Sequence, residues 1–227
     1  MTAAATAKSA AILISGSGTN LQSFIDRTAA GELDLRLTVV LSNRTDAPGL
    51  ERAKKAQIPI ECLEHGDYAD RESFDAALND TLDRYAPDLI ILAGFMRILT
   101  PVFIGHFEGR VFNIHPSLLP KYPGLDTHQR AIDAGDEWAG STVHFATEEL
   151  DGGPCVIQGR VRVEPDDTAK SLAARVLKVE HQIYPEAAAL FVAGRLAYRD
   201  GAAWLDGKRM DEPIQWQPSQ HSAAAKP

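Results

Sequence analysis

The feature that most limits what this chain can fold into is the spacing of its apolar runs. Five short, nearly continuous apolar stretches, Ala10 to Ile14, Leu35 to Leu41, Ile58 to Leu63, Leu89 to Ala93 and Val111 to Ile114, alternate with longer segments of helical character. Runs of that kind suit strands covered on both faces, and helical spacers between them suit crossover connections. The spacers are Asn20 to Ala29, Gly49 to Ala56, Arg71 to Tyr85 and Pro101 to Phe107, with Pro87 as a stop after the third. The pattern predicts an α/β fold, a mostly parallel sheet flanked by helices. Two later extended stretches, Ser141 to Ala146 and Cys155 to Val163, are joined by the turn-rich Asp151-Gly152-Gly153-Pro154 and predict a hairpin or broad loop. A long helix from Thr168 to Ala193 and a last short hairpin from Tyr198 to Trp204 are expected to follow. No repeat or linker interrupts the chain. The expectation is one domain over residues 1–227, ordered over about 10–210, with loose tails in the first nine residues and from Gln217 to Pro227.

Charge narrows the partners. A formal charge of -8 disfavours a broad surface for nucleic acid or anionic lipid, because such binding depends on clustered Lys and Arg. A small anion in one local pocket stays allowed. No apolar run approaches the roughly 18 residues of a membrane span, and Met1 to Lys8 lacks a basic segment followed by an apolar one, so a cytoplasmic setting is expected. Cys62 and Cys155 belong to no Cys-x-x-Cys pair and read as reduced thiols. The seven histidines show no metal-ligand spacing, and no metal is expected.

Three motifs carry chemistry. Ser15-Gly16-Ser17-Gly18-Thr19-Asn20-Leu21-Gln22 lies where the first strand meets the first helix. Glycines there let a ligand approach the backbone, and exposed N–H groups at a helix start attract phosphate. It is not a dinucleotide fingerprint, since Leu21 replaces the third glycine and no acid follows the second strand; a ligand-free tight turn remains the competing reading. In Asn113-Ile114-His115-Pro116-Ser117-Leu118-Leu119-Pro120, residues two apart on a strand share a face, so Asn113 and His115 can point into one crevice. Amide and imidazolium groups suit an oxyanion; equally, they could cap a strand end. In Glu148-Glu149-Leu150-Asp151-Gly152-Gly153-Pro154, Asp151 could reach a histidine or relay a proton, or merely occupy an Asp-Gly turn. Glu180-His181 within the long helix reads as a solvated pair, and Gly94 to Leu99 as core or pocket lining.

Taken together and in this order, the three motifs resemble the folate-dependent formyltransferase family, over almost everything between the tails. Asn113, His115 and Asp151 fall on that family's Asn-His-Asp catalytic set, and the stretches Leu92 to Leu99, Lys121-Tyr122-Pro123-Gly124 and Glu180 to Pro185 extend the match. The resemblance implies a Rossmann-like fold whose first half binds nucleotide. It implies 10-formyltetrahydrofolate as co-substrate and glycinamide ribonucleotide as acceptor, in de novo purine synthesis. It implies that Gly18, Thr19 and Asn20 hold the ribonucleotide phosphate, with Glu180 near the amine-bearing end. Arg71, Met96, Arg97, Ile98, Leu99 and Asn113 would contact folate, and His144 would support the pocket. Partners would be small molecules, with a homodimer left open. Asp126 and the tails have no assigned counterpart.

Other readings are carried alongside. Methionyl-tRNA formyltransferase would bring a further C-terminal domain and a basic surface, and formyltetrahydrofolate deformylase a regulatory domain ahead of the core. A non-catalytic nucleotide-binding protein would keep the glycine-rich turn without turnover, and a nicotinamide-dependent oxidoreductase would need the acid missing after the second strand.

Overall fold

The computed structural model describes residues 7–217. In chain order the first part runs β1 (Lys8–Ile14), α1 (Thr19–Ala29), β2 (Leu35–Ser42), α2 (Gly49–Lys55), β3 (Ile60–Cys62), α3 (Arg71–Asp83), β4 (Leu89–Leu92), α4 (Pro101–His106) and β5 (Val111–His115). The second part comprises α5 (Thr127–Asp133), β6 (Trp138–Phe145), β7 (Cys155–Arg162), α6 (Ala169–Val192), β8 (Leu196–Arg199), β9 (Ala202–Leu205), β10 (Lys208–Arg209) and β11 (Ile214–Trp216). The main sheet has eight strands in the order β11-β7-β6-β5-β4-β1-β2-β3. From β3 to β5 all neighbours are parallel; β5, β6 and β7 pair antiparallel, and β11 returns parallel to β7. The remaining three strands, β8 to β10, form a small antiparallel sheet.

Strand periodicity explains the two cores. Along β1, Ala10, Ile12 and Ile14 enter a cluster with Leu21, Phe24 and Tyr184, from α1 and α6. Ala11 and Leu13 face the other way, onto Phe74, Leu78 and Phe103 from α3 and α4. A sheet covered on both sides by helices is what the continuous apolar runs demand. Helix starts are locally encoded as well: Asp70 and Ser73 form a reciprocal cap on α3, and Thr168 and Ser171 do so on α6.

The order of the parallel strands creates a switch point. Chain connections leave β1 toward β2 on one side, while β4 lies on the other, so the segments following β1 and β4 flank the crevice where such sheets bind ligands.

Several expectations need correction. Lys8 and Ser9, assigned to a tail, belong to β1, because Asp88 accepts hydrogen bonds from the Ser9 amide and the Lys8 amine at 2.8 Å each. The remainder of both assigned tails, apart from Ala7 and Gln217, lies outside the described residues. The strand expected from Ile58 shortens to Ile60–Cys62, and the third helix ends at Asp83. Three elements were not anticipated, α5, β10 and β11. Glu180 is not solvated: it is buried and accepts a 2.8 Å hydrogen bond from the Asn20 side chain.

Candidate active site

Asn113 and His115 stand on β5 at and just beyond the level of Leu92, where β4 ends. The period of two puts both side chains on one face, as expected. Asp151 comes to them from the β6–β7 loop. Its backbone is left-handed (φ 54°), a conformation Asp tolerates better than most residues. Two glycines follow it, and a side chain at Gly153 would overlap the Phe145 carbonyl, so the loop closes down onto β6 only because that position is bare.

The carboxylate of Asp151 is nearly buried, and each oxygen has its own neighbours. Oδ2 accepts from the Gly124 amide at 2.9 Å and lies 3.4 Å from His115 Nδ1. Oδ1 faces the Asn113 amide nitrogen at 3.5 Å. On its far side, His115 Nε2 lies 2.8 Å from the Tyr122 carbonyl. Both ring nitrogens of His115 thus face oxygen acceptors, an arrangement suited to an imidazolium.

His144 works differently. It is the cross-strand partner of Asn113 in the β5–β6 ladder, and burial pushes its pKa below the ordinary histidine value, which favours the neutral ring. Its Nδ1 is 2.9 Å from the Phe145 carbonyl and can only donate there; Nε2 is then an acceptor, 3.1 Å from the Asn113 amide nitrogen. The tautomer follows from these partners, and it orients the Asn113 amide.

These groups open onto a cavity of about 860 Å³. Its lining includes Met96, Arg97, Ile98 and Leu99 after β4, Asn113 and His115, and Glu148 to Asp151. Met96, Ile98, Leu125 and Leu150 leave apolar side chains exposed on this lining, which suits an apolar ligand surface better than water. Asp126, left unassigned from sequence, lines the same cavity from the start of α5. So does His128, which sequence reasoning missed; it is half-buried, its Nδ1 has no partner, and burial followed by the nearby His115 lowers its pKa.

The glycine-rich turn lies outside that lining, at the end of the adjacent β1. Gly18 takes a left-handed conformation, and a Cβ there would come within 2.8 Å of the Gly49 Cα. Two glycines are therefore needed for the turn to pack on α2, and the N–H groups of Gly18, Thr19 and Asn20 mark the start of α1. Arg52 braces the turn, donating to the Ser17 carbonyl at 2.8 Å; no sequence motif pointed to it. Glu180 comes up from α6 against Asn20, and burial raises its pKa while the hydrogen bond from Asn20 opposes the rise. Arg71 stands exposed at the first position of α3, outside the cavity lining. The structure thus gathers Asn113, His115, His144, Asp151 and the Met96 to Leu99 stretch around one cavity, with Gly18, Thr19, Asn20 and Glu180 forming a second group beside it.

Among the described residues no three His, Cys, Asp or Glu side chains are gathered as a metal would require, Cys62 and Cys155 are free thiols, and no helix is long and apolar enough to cross a membrane.

A doubly wound sheet with an Asn-His-Asp cluster beside its switch point defines a class, and residues 8–188 match that class as the formyl transferase family. The chain belongs to the formyl transferase family. Within it the likeness runs to one branch: the phosphoribosylglycinamide formyltransferase of Escherichia coli (strain K12) is 49% identical over 199 residues, 88% of this chain and 94% of its own length. The structure of the phosphoribosylglycinamide formyltransferase from Coxiella burnetii, in complex with CHES, superposes with a TM-score of 0.88 at 45% identity, covering 92% of this chain and 99% of that one. The trifunctional purine biosynthetic protein adenosine-3 of Chironomus tentans is 44% identical over 195 residues, 85% of this chain and 14% of its own.

Proposed function

We propose that this chain transfers the formyl group of 10-formyltetrahydrofolate to the amine of 5'-phosphoribosylglycinamide, yielding 5'-phosphoribosyl-N-formylglycinamide and tetrahydrofolate, a cytoplasmic step of purine synthesis. The observation that carries the reading is the convergence of Asn113, His115 and Asp151 on one cavity in a chain nearly half identical to a phosphoribosylglycinamide formyltransferase.

The acceptor amine attacks the formyl carbon, forming a tetrahedral intermediate directly between the substrates. Its carbon–nitrogen bond to folate then breaks, and the proton lost by the amine ends on the departing folate nitrogen. Asn113 donates to the developing oxygen and the His115 imidazolium supports it; removal of one such donor typically costs about 100-fold to 1000-fold in turnover. Asp151 holds His115 and carries the proton, a contribution of about 100-fold to 10,000-fold. His144 keeps the Asn113 amide turned. Gly18, Thr19 and Asn20 hold the phosphate and Glu180 the amine-bearing end. The Met96 to Leu99 strap and Asn113 meet the folate, whose ring lies against the apolar lining, while Arg71, outside that lining, meets the part of the folate that extends beyond it. No step calls for a metal, and no nucleic acid or membrane partner is involved.

The test follows folate absorbance with purified protein and 10-formyltetrahydrofolate, with and without glycinamide ribonucleotide. The expected signal needs the amine. A signal without it would make the chain a hydrolase, and none at all would leave a binding protein.

A further inference from the structure

The strap between β4 and α4, from Ala93 to Thr100, has no helical or strand structure of its own, yet it contributes Met96, Arg97, Ile98 and Leu99 to the cavity. Met96 and Ile98 are 70% and 51% exposed, so burial of their side chains does not fix it. Among the described residues, no backbone hydrogen bond involves Arg97, Ile98 or Leu99. Such a segment would be expected at the low-stability end of the fold unless something outside it supplies order.

Two buried side chains from other elements do. At one end Ser15, just after β1, binds the strap twice: its amide donates to the Gly94 carbonyl at 3.1 Å, and its hydroxyl accepts from the Met96 amide at 2.7 Å. The same hydroxyl donates to the Asn43 side-chain oxygen at 2.5 Å, so its direction is fixed from behind. At the other end Asp75, on α3 and 1% exposed, accepts from the Thr100 amide at 2.6 Å. Between them the Arg97 guanidinium lies over the ring of Phe74, 5.1 Å from its centre. Asp75 touches no residue of the Asn-His-Asp cluster, and a carboxylate that far inside a protein is costly unless hydrogen bonds or an opposite charge offset its burial; here the partners are the strap's own Thr100 amide and Arg97. Burial raises its pKa, opposed by the Thr100 hydrogen bond.

We propose that Ser15 and Asp75 are positioning residues that clamp the strap at its two ends and thereby set the geometry in which it receives folate. The inference rests on the proposed reading that the strap meets the folate. It adds a consequence for the two substrates: Ser15 also begins the glycine-rich turn, so the ribonucleotide and folate halves of the site share one anchor, while Asp75 serves the folate half alone.

The experiment pairs kinetics with hydrogen exchange on the intact chain. Asp75→Ala should raise KM for 10-formyltetrahydrofolate about tenfold, the scale of one buried hydrogen bond to a charged acceptor, with KM for the ribonucleotide unchanged. Asp75→Asn, which retains an acceptor oxygen, should restore most of that loss. Ser15→Ala, a smaller perturbation, should raise KM for both substrates. In the absence of substrates both alanine variants should speed exchange of the Met96 and Thr100 amides while leaving β4 and β5 protected. Unchanged exchange at those amides, or equal effects of Asp75→Ala on both KM values, would overturn the clamp. Faster exchange in variants of a protein whose unaltered form binds no deazafolate analogue would instead refute the folate reading, and with it the assigned purpose of the clamp.

Discussion

Replacing Asp151 with asparagine probes the site most directly, because the two side chains have the same shape and differ in charge and in one set of donors. Asp151 Oδ2 serves the Gly124 amide and His115, while Oδ1 faces the Asn113 amide nitrogen. An asparagine can keep its carbonyl on Gly124, but its own amide group then points at that of Asn113, donor against donor. Turned over, it loses Gly124. Either way about one buried hydrogen bond is forfeited, worth about 1–3 kcal/mol, against a stability of about 5–15 kcal/mol for a typical domain. The variant should therefore fold. Turnover is another matter, since asparagine can neither accept the amine proton nor neutralise a charged His115. The expected result is a fall in kcat of about 100-fold to 10,000-fold, with both KM values held within about threefold. Folate absorbance under saturating substrates supplies kcat, and single-turnover mixing shows whether chemistry or release is slowed. Near-normal kcat, or a loss confined to KM, would refute the reasoning.

Three further outcomes follow from the geometry. His144→Gln should lower kcat by roughly tenfold, less than loss of an oxyanion donor itself, because only the orientation of Asn113 suffers. Burial depresses the folded-state pKa of His144, so the stability it contributes is present above the ordinary histidine value of 6.5 and lost as pH falls; the drop in Tm on acidification should be shallower in that variant. Glu180 has the opposite sign, its folded pKa raised, so its carboxyl costs stability as pH climbs through and above the ordinary value of 4.5. Glu180→Gln should match the parent's Tm in acid and exceed it at neutral pH, with KM for the ribonucleotide raised. Gly18→Ala, at φ 67° with its Cβ 2.8 Å from Gly49, should cost more than about 1 kcal/mol in denaturant unfolding and weaken the ribonucleotide while sparing folate.

The parallel half of the sheet was legible in the sequence because its strands are covered on both faces and so must be continuously apolar. α5 was not, since seven residues opening after Pro-Gly-Leu-Asp bury only Thr127 and Ala131 and carry almost no periodic signal. Nor was β11, three residues whose place depends on a partner strand far earlier in the chain. The candidate site divides along the same line. Strand periodicity alone put Asn113 beside His115, but nothing local brings Asp151 to them across 38 positions; that link came from the family resemblance. Glu180 was misread as solvated because its partner, Asn20, lies 160 positions away. His144 as an acceptor for Asn113 depends on the register of β5 against β6, which short-range pattern cannot supply.

That register has a consequence beyond catalysis. Asn113 opposes His144, and His115 opposes Thr142. A slip of one residue would turn His144 to the opposite face of the sheet and carry the Asp151 loop with it. A chain mispaired in this way could still be compact and helical enough to pass by circular dichroism, yet it would lack the acceptor that turns the Asn113 amide. Turnover per molecule therefore reports whether the non-local half of the sheet has closed correctly, which makes this enzyme its own assay for refolding.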